Sequence, residues 1–128
     1  MIGFHAWAVL AFSLFGLLAC QQQPQESLTT VDWVTFPEGL IDGKLVIRDG
    51  GCTALLEGAG LTGLAWAEGF TLARRPDRVL DAEGDVVAHD GDHIKFSGGV
   101  GLNPSVMPNN PCGTETMGVV AEIVTPEP

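Results

Sequence analysis

From Val31 onward the chain alternates short apolar runs with clusters of Gly, Asp, Asn and Pro. That rhythm predicts strands rather than helices. Its clearest stretch is Val79 to Gly99, which reads as three strands joined by two tight turns. Val79, Val86, Val87, Ile94 and Phe96 are strand formers. Ala82-Glu83-Gly84-Asp85 and Asp90-Gly91-Asp92 each place a Gly where a tight turn needs positive φ. His93-Ile94-Lys95-Phe96 alternates, which turns Ile94 and Phe96 inward and His93 and Lys95 outward. Val86-Val87-Ala88 does not alternate, so this strand is expected to be covered on both faces or to bend at a corner.

The flanking segments follow the same pattern. Val31 to Phe36 is strand-like and Pro37 stops it; Glu38 to Gly43 reads as a turn. Lys44 to Arg48 and Cys52 to Leu56 form a hairpin around Asp49-Gly50-Gly51. Leu61 to Trp66 and Phe70 to Ala73 are shorter strands, and Arg74 to Asp77 is a loop. Gly98 to Gly113 is rich in Gly, Pro and Asn and reads as a long irregular loop, after which Met117 to Val124 is the last strand. No window of this body carries a capped amphipathic helical stripe. The expected fold is therefore all-β: a small antiparallel barrel, OB-like or similar, or a compact sandwich. The expected core is Trp33, Val46, Leu55, Trp66, Phe70, Val79, Val87, Ile94, Phe96, Val119 and Ile123.

The first residues differ in kind. Met1 to Ala19 holds no Asp, Glu, Lys or Arg, and residues 1–19 read as a signal peptide. Its end, Leu17-Leu18-Ala19-Cys20, resembles the lipobox of bacterial lipoproteins. The resemblance implies that Cys20 is lipidated and becomes the N-terminus after cleavage. It implies a cell-envelope protein held to a membrane through its lipid, on the periplasmic or extracellular face. Gln21 after that Cys resembles the residues that permit outer-membrane sorting in a Gram-negative host. The alternatives are a plain signal peptide or a retained anchor helix, since Ile2 to Ala19 lies at the lower edge of a membrane-spanning length. Gln21 to Thr30 is polar and reads as a tether. The expected organisation is signal peptide 1–19, lipidated Cys and tether 20–30, and barrel 31–125.

Charge and cysteine content narrow the chemistry. The net charge is −10, and every formal charge follows Cys20. Such acidity argues against nucleic-acid binding and equally against electrostatic docking on anionic lipid. With Cys20 lipidated and the body exported, Cys52 and Cys112 remain to pair; two free thiols are the alternative. Gly51-Cys52, Leu64 to Phe70, Val79 to Ala88, Gly91-Asp92, Gly98-Gly99 and Cys112-Gly113 together resemble a pattern in small exported bacterial domains. What that resemblance implies is a small β-barrel without an assigned activity.

His89-Asp90-Gly91-Asp92-His93 could gather Zn²⁺, Cu²⁺ or Ni²⁺; the competing reading is a turn flanked by exposed strand ends. Asp81, Glu83 and Asp85 are spaced like the start of an EF-hand loop, but Val86 stands where that loop needs Gly. Arg74, Arg75 and Arg78 form a basic cluster that could contact a carboxylate or phosphate; the competing reading is a solvated loop balancing Asp77, Asp81 and Glu83. Ser27, Ser97 and Ser105 lack a nucleophile-elbow context, and no phosphate-binding glycine motif is present. No catalytic residue and no cofactor are therefore expected. The sequence points to a non-catalytic, lipid-anchored envelope protein whose barrel binds a protein, glycan or small ligand. A metal-handling module using His89 and His93, or an enzyme of unidentified type, are the alternatives.

Overall fold

The computed structural model describes residues 27–33 and 35–124. The leader, Cys20, the tether up to Glu26, and Val34 lie outside the described residues. The described chain is all-β, with nine strands in two sheets. They are β1 (Thr30–Val31), β2 (Leu40–Ile47), β3 (Thr53–Glu57), β4 (Gly60–Ala67), β5 (Thr71–Ala73), β6 (Arg78–Leu80), β7 (Val86–His89), β8 (His93–Leu102) and β9 (Met117–Ile123).

Five of these close into a barrel in the order β4-β3-β2-β8-β9, with β9 returning to β4. The closing pair is parallel, running from Gly63 opposite Met117 to Trp66 opposite Val120, and the other four ladders are antiparallel. This is the OB-like arrangement of five strands in a Greek key. Closure removes the open edges that a five-stranded sheet would otherwise expose. β1 extends the barrel by pairing with β4 in parallel at Trp66 and Ala67.

Gly98 lets β8 and β9 approach closely. It sits at φ +152° beside a bulge in the β8–β9 ladder, and the carbonyl of Val119 occupies the place a Cβ would need. A run of Gly that reads as loop in the sequence is thus strand as far as Leu102, and the irregular connection is shorter than expected.

Two apolar clusters hold the fold. The inner one fills the barrel with Leu45, Ile47, Leu55, Leu64, Trp66, Ile94, Phe96 and Val120. The second sheet, β5-β6-β7, caps it by adding Val79 and Ala88, with Phe70, Leu72 and Val87 against them. The outer cluster lies on the other face of β4 and β9. There Val31, Met107, Trp33, Phe36 and Leu102 cover Ala65, Met117 and Val119.

Several expectations change in this light. The stretch from Val79 to Gly99 is not one meander: β6 and β7 belong to the cap and β8 to the barrel. Val46 is half-buried, because the alternation of β2 points Leu45 and Ile47 inward. β2 starts at Leu40 rather than Lys44, since Leu40 and Ile41 find partners in Ser97 and Phe96. The first strand shortens to Thr30–Val31, as only two residues reach β4. Leu28 and Thr29 are buried, so the packed chain begins before Val31. Of the two expectations for Val86-Val87-Ala88, coverage on both faces does not hold, since Val86 is 46% exposed; an irregularity of the strand does, as a bulge opposite Val79 and Leu80 breaks the alternation.

Candidate functional site

In an OB-like barrel the second and third strands and their neighbouring loops form the usual ligand surface. Here part of that surface, around Ala54 on β3 and Gly63 on β4, is covered by the chain itself. The β8–β9 connection, residues 103–116, runs back over it and is bonded to it by the Cys52–Cys112 disulfide. The Thr114 hydroxyl accepts the Gly63 N–H at 3.1 Å, and a Cβ on Gly63 would collide with that hydroxyl. The Thr29 hydroxyl donates to Asn109 Oδ1 at 2.6 Å, which joins the N-terminal segment to the same strap. Ala54, beneath it, has no exposed surface.

Two open grooves lie elsewhere among the described residues. The first is the outer face of β2 and β8, where Asp42, Lys44 and His93 border a shallow groove of about 370 Å³ with Leu56, Glu57 and Gly58. The second is a groove of about 440 Å³ between the cap and β9. Its floor is Phe70, Val86, Val87 and Ile123, and its rim is Asp81, Glu83, Asp85 and Glu122. Apolar floor and acidic rim together suit a ligand with a hydrophobic body and positive charge. The sequence reading sets the three carboxylates of the loop aside as an incomplete EF-hand start, takes Phe70 as core, and does not single out Glu122. Glu122 and Phe70 come from β9 and from the approach to β5, and no local pattern links those segments to the loop.

The Asp81 carboxylate is turned onto its own loop, accepting from the backbone N–H of Glu83 at 3.0 Å and of Asp85 at 2.9 Å. It shapes the turn as an Asx motif, which is the structural reading of that acidic spacing.

The His89–His93 stretch is divided between partners. His89 Nδ1 lies 3.8 Å from Asp92 Oδ2, whose oxygen also accepts the His89 N–H. His93 Nε2 lies 3.9 Å from Asp42 Oδ2 on β2. Asp90 accepts the N–H of Ile47 at 2.8 Å, beside backbone bonds from Leu45 to Asp92 and from Gly91 to Leu45. The turn is thereby sewn onto β2. Among the described residues no three His, Cys, Asp or Glu side chains come together as a metal-holding group.

Asp90→Ala is therefore expected to cost roughly 1–3 kcal/mol, because it strands the Ile47 N–H. The double change His89→Ala/His93→Ala is expected to shift stability by about 0.5 kcal/mol or less. Denaturant titration measures both. A stoichiometric Zn²⁺ or Cu²⁺ site lost in the double variant would contradict this account of the turn.

The arginines surround one turn. Arg74 bonds the carbonyl of Arg48 at 2.9 Å and pairs with Asp77 at 3.2 Å. Arg78 donates to the carbonyls of Arg74 and Pro76. Comparison with family models, with curated proteins and with solved structures finds no match for the chain.

Proposed function

We propose that this chain is an exported, lipid-anchored cell-envelope protein whose barrel binds a ligand or partner rather than catalysing a reaction. The observation that carries the reading is the Cys52–Cys112 disulfide in a chain whose third cysteine ends an apolar leader. Disulfides persist in oxidising compartments outside the cytosol, and the pairing leaves Cys20 as the one cysteine available for lipid. Several acyl chains, at about 0.8 kcal/mol per buried CH₂, would hold the protein stably at a bilayer. The groove between cap and β9 is the binding surface this reading favours, since part of the usual OB-like surface is strapped over. A protein or glycan of the envelope carrying positive charge is the partner class that suits it.

Labelled fatty acid supplied to cells expressing the chain tests the anchor. Wild type is expected to take up label, and Cys20→Ala is expected to take up none and to leave the lipid-anchored fraction. Absence of label in the wild type would overturn the lipoprotein reading.

A further inference from the structure

The charge of the described residues is unevenly placed. Four of the six basic residues, Arg48, Arg74, Arg75 and Arg78, gather at one end of the barrel, with Asp49, Asp77, Asp90 and Asp92 near them. The rest of the described chain sets Lys44 and Lys95 against ten carboxylates. Four of those, in Asp81, Glu83, Asp85 and Glu122, rim the groove between cap and β9. Along β6 and β7 the arginine turn and the acidic loop occupy opposite ends.

The arginine end is also where the tether enters. The carbonyl of Ser27 lies directly over Gly51, in the β2–β3 turn that begins at Arg48. Seven residue steps separate Ser27 from Cys20, a reach of at most about 25 Å. An anchor at Cys20 thus keeps this end within about 25 Å of the bilayer.

We propose that the end of the barrel bearing Arg48, Arg74, Arg75 and Arg78 rests on anionic phospholipid headgroups of the membrane that holds the chain. The proposal rests on the lipid-anchored reading given above. The tether removes the translational cost of meeting the surface, so a net-negative body needs only an orientation, which its charge asymmetry supplies. Arg48 and Arg75 are exposed and stand foremost in the contact. This posture presents the acidic groove away from the surface, toward soluble partners.

The test uses the full chain reconstituted on vesicles of phosphatidylcholine alone, or of phosphatidylcholine mixed with phosphatidylglycerol. Flotation with the neutral vesicles reads the anchor independently of the docking. If the chain carries no acyl group, a maleimide lipid coupled to Cys20 supplies the tether, and the same comparison decides. Phenylglyoxal modification of Arg48 and Arg75 is followed by mass spectrometry, with acetylation of Lys44 and Lys95 as the internal control. On the anionic vesicles arginine modification is expected to slow roughly fivefold, with the lysines unchanged. Near 1 M salt, where screening acts within about 3 Å, the difference is expected to vanish. Equal arginine rates on both vesicles, or slowing shared by the lysines, would overturn the proposal.

Discussion

Reduction of the Cys52–Cys112 bond is expected to lower the melting temperature of the barrel by about 10 °C or more. The bond spans 60 residues of sequence, for which chain entropy in the denatured state gives a value of about 4 kcal/mol. A domain of this size has a total stability on the order of 5–15 kcal/mol, so the loss is a large fraction of it. At ~4–8 °C per kcal/mol the full value would move the midpoint further still, and residual structure in the reduced denatured chain trims it. Local consequences should follow the strap. Without the bond, residues 103–116 are held by Met107 in the outer cluster and by a few polar contacts, among them Thr29 to Asn109 and Gly63 to Thr114. Hydrogen exchange at Gly63 should therefore rise before the inner core opens. The variant Cys52→Ala/Cys112→Ala should reproduce both effects. A reduced protein melting within about 2 °C of the oxidised one would contradict them.

Trp66→Ala should cost on the order of 3–5 kcal/mol, a large fraction of the domain's stability. Trp66 is fully buried in the inner cluster. It stands where β4 meets β1 on one side and β9 on the other. Its ring N–H donates to the Thr53 hydroxyl at 2.9 Å, and its ring meets that of Phe70 at 5.3 Å between centroids. The side chain thus ties the barrel wall to the cap. Trp66→Phe keeps most of the apolar volume and loses the donor to Thr53, which is buried, so a smaller cost of roughly 1–2 kcal/mol is expected. Guanidinium unfolding of both variants provides the measurement. Equal costs for Phe and Ala would show that the hydrogen bond, not the packing, carries the residue's role.

Local pattern made much of this fold legible. Ile94 and Phe96 alternate with polar neighbours and lie in the core, and the β2–β3 hairpin closes around its Gly-Gly turn. Other features needed partners far along the chain. Lys44-Leu45-Val46-Ile47 offers apolar residues of both parities, and only the packing of Leu45 and Ile47 against β3 and β8 picks the face. Gly43 reads as a turn residue, yet it sits within β2 because Leu55 packs where its Cβ would be. In the sequence Asp90 reads as part of a turn, with a metal ligand as the weaker alternative. Its carboxylate accepts the amide of Ile47, 43 residues away, a contact no spacing rule encodes. Cys52 and Cys112 were readable as a pair. What their bond covers, part of the outer surface of β3 and β4, depends on barrel closure between β4 and β9, which are separated by half the domain.

Intact mass of the chain purified from the membranes of the cells that make it tests the central claim most directly. The account predicts a chain starting at Cys20, heavier by a diacylglyceryl group and lighter by the two hydrogens of one disulfide. A chain that retains its leader, or that starts elsewhere with Cys20 unmodified, would contradict it.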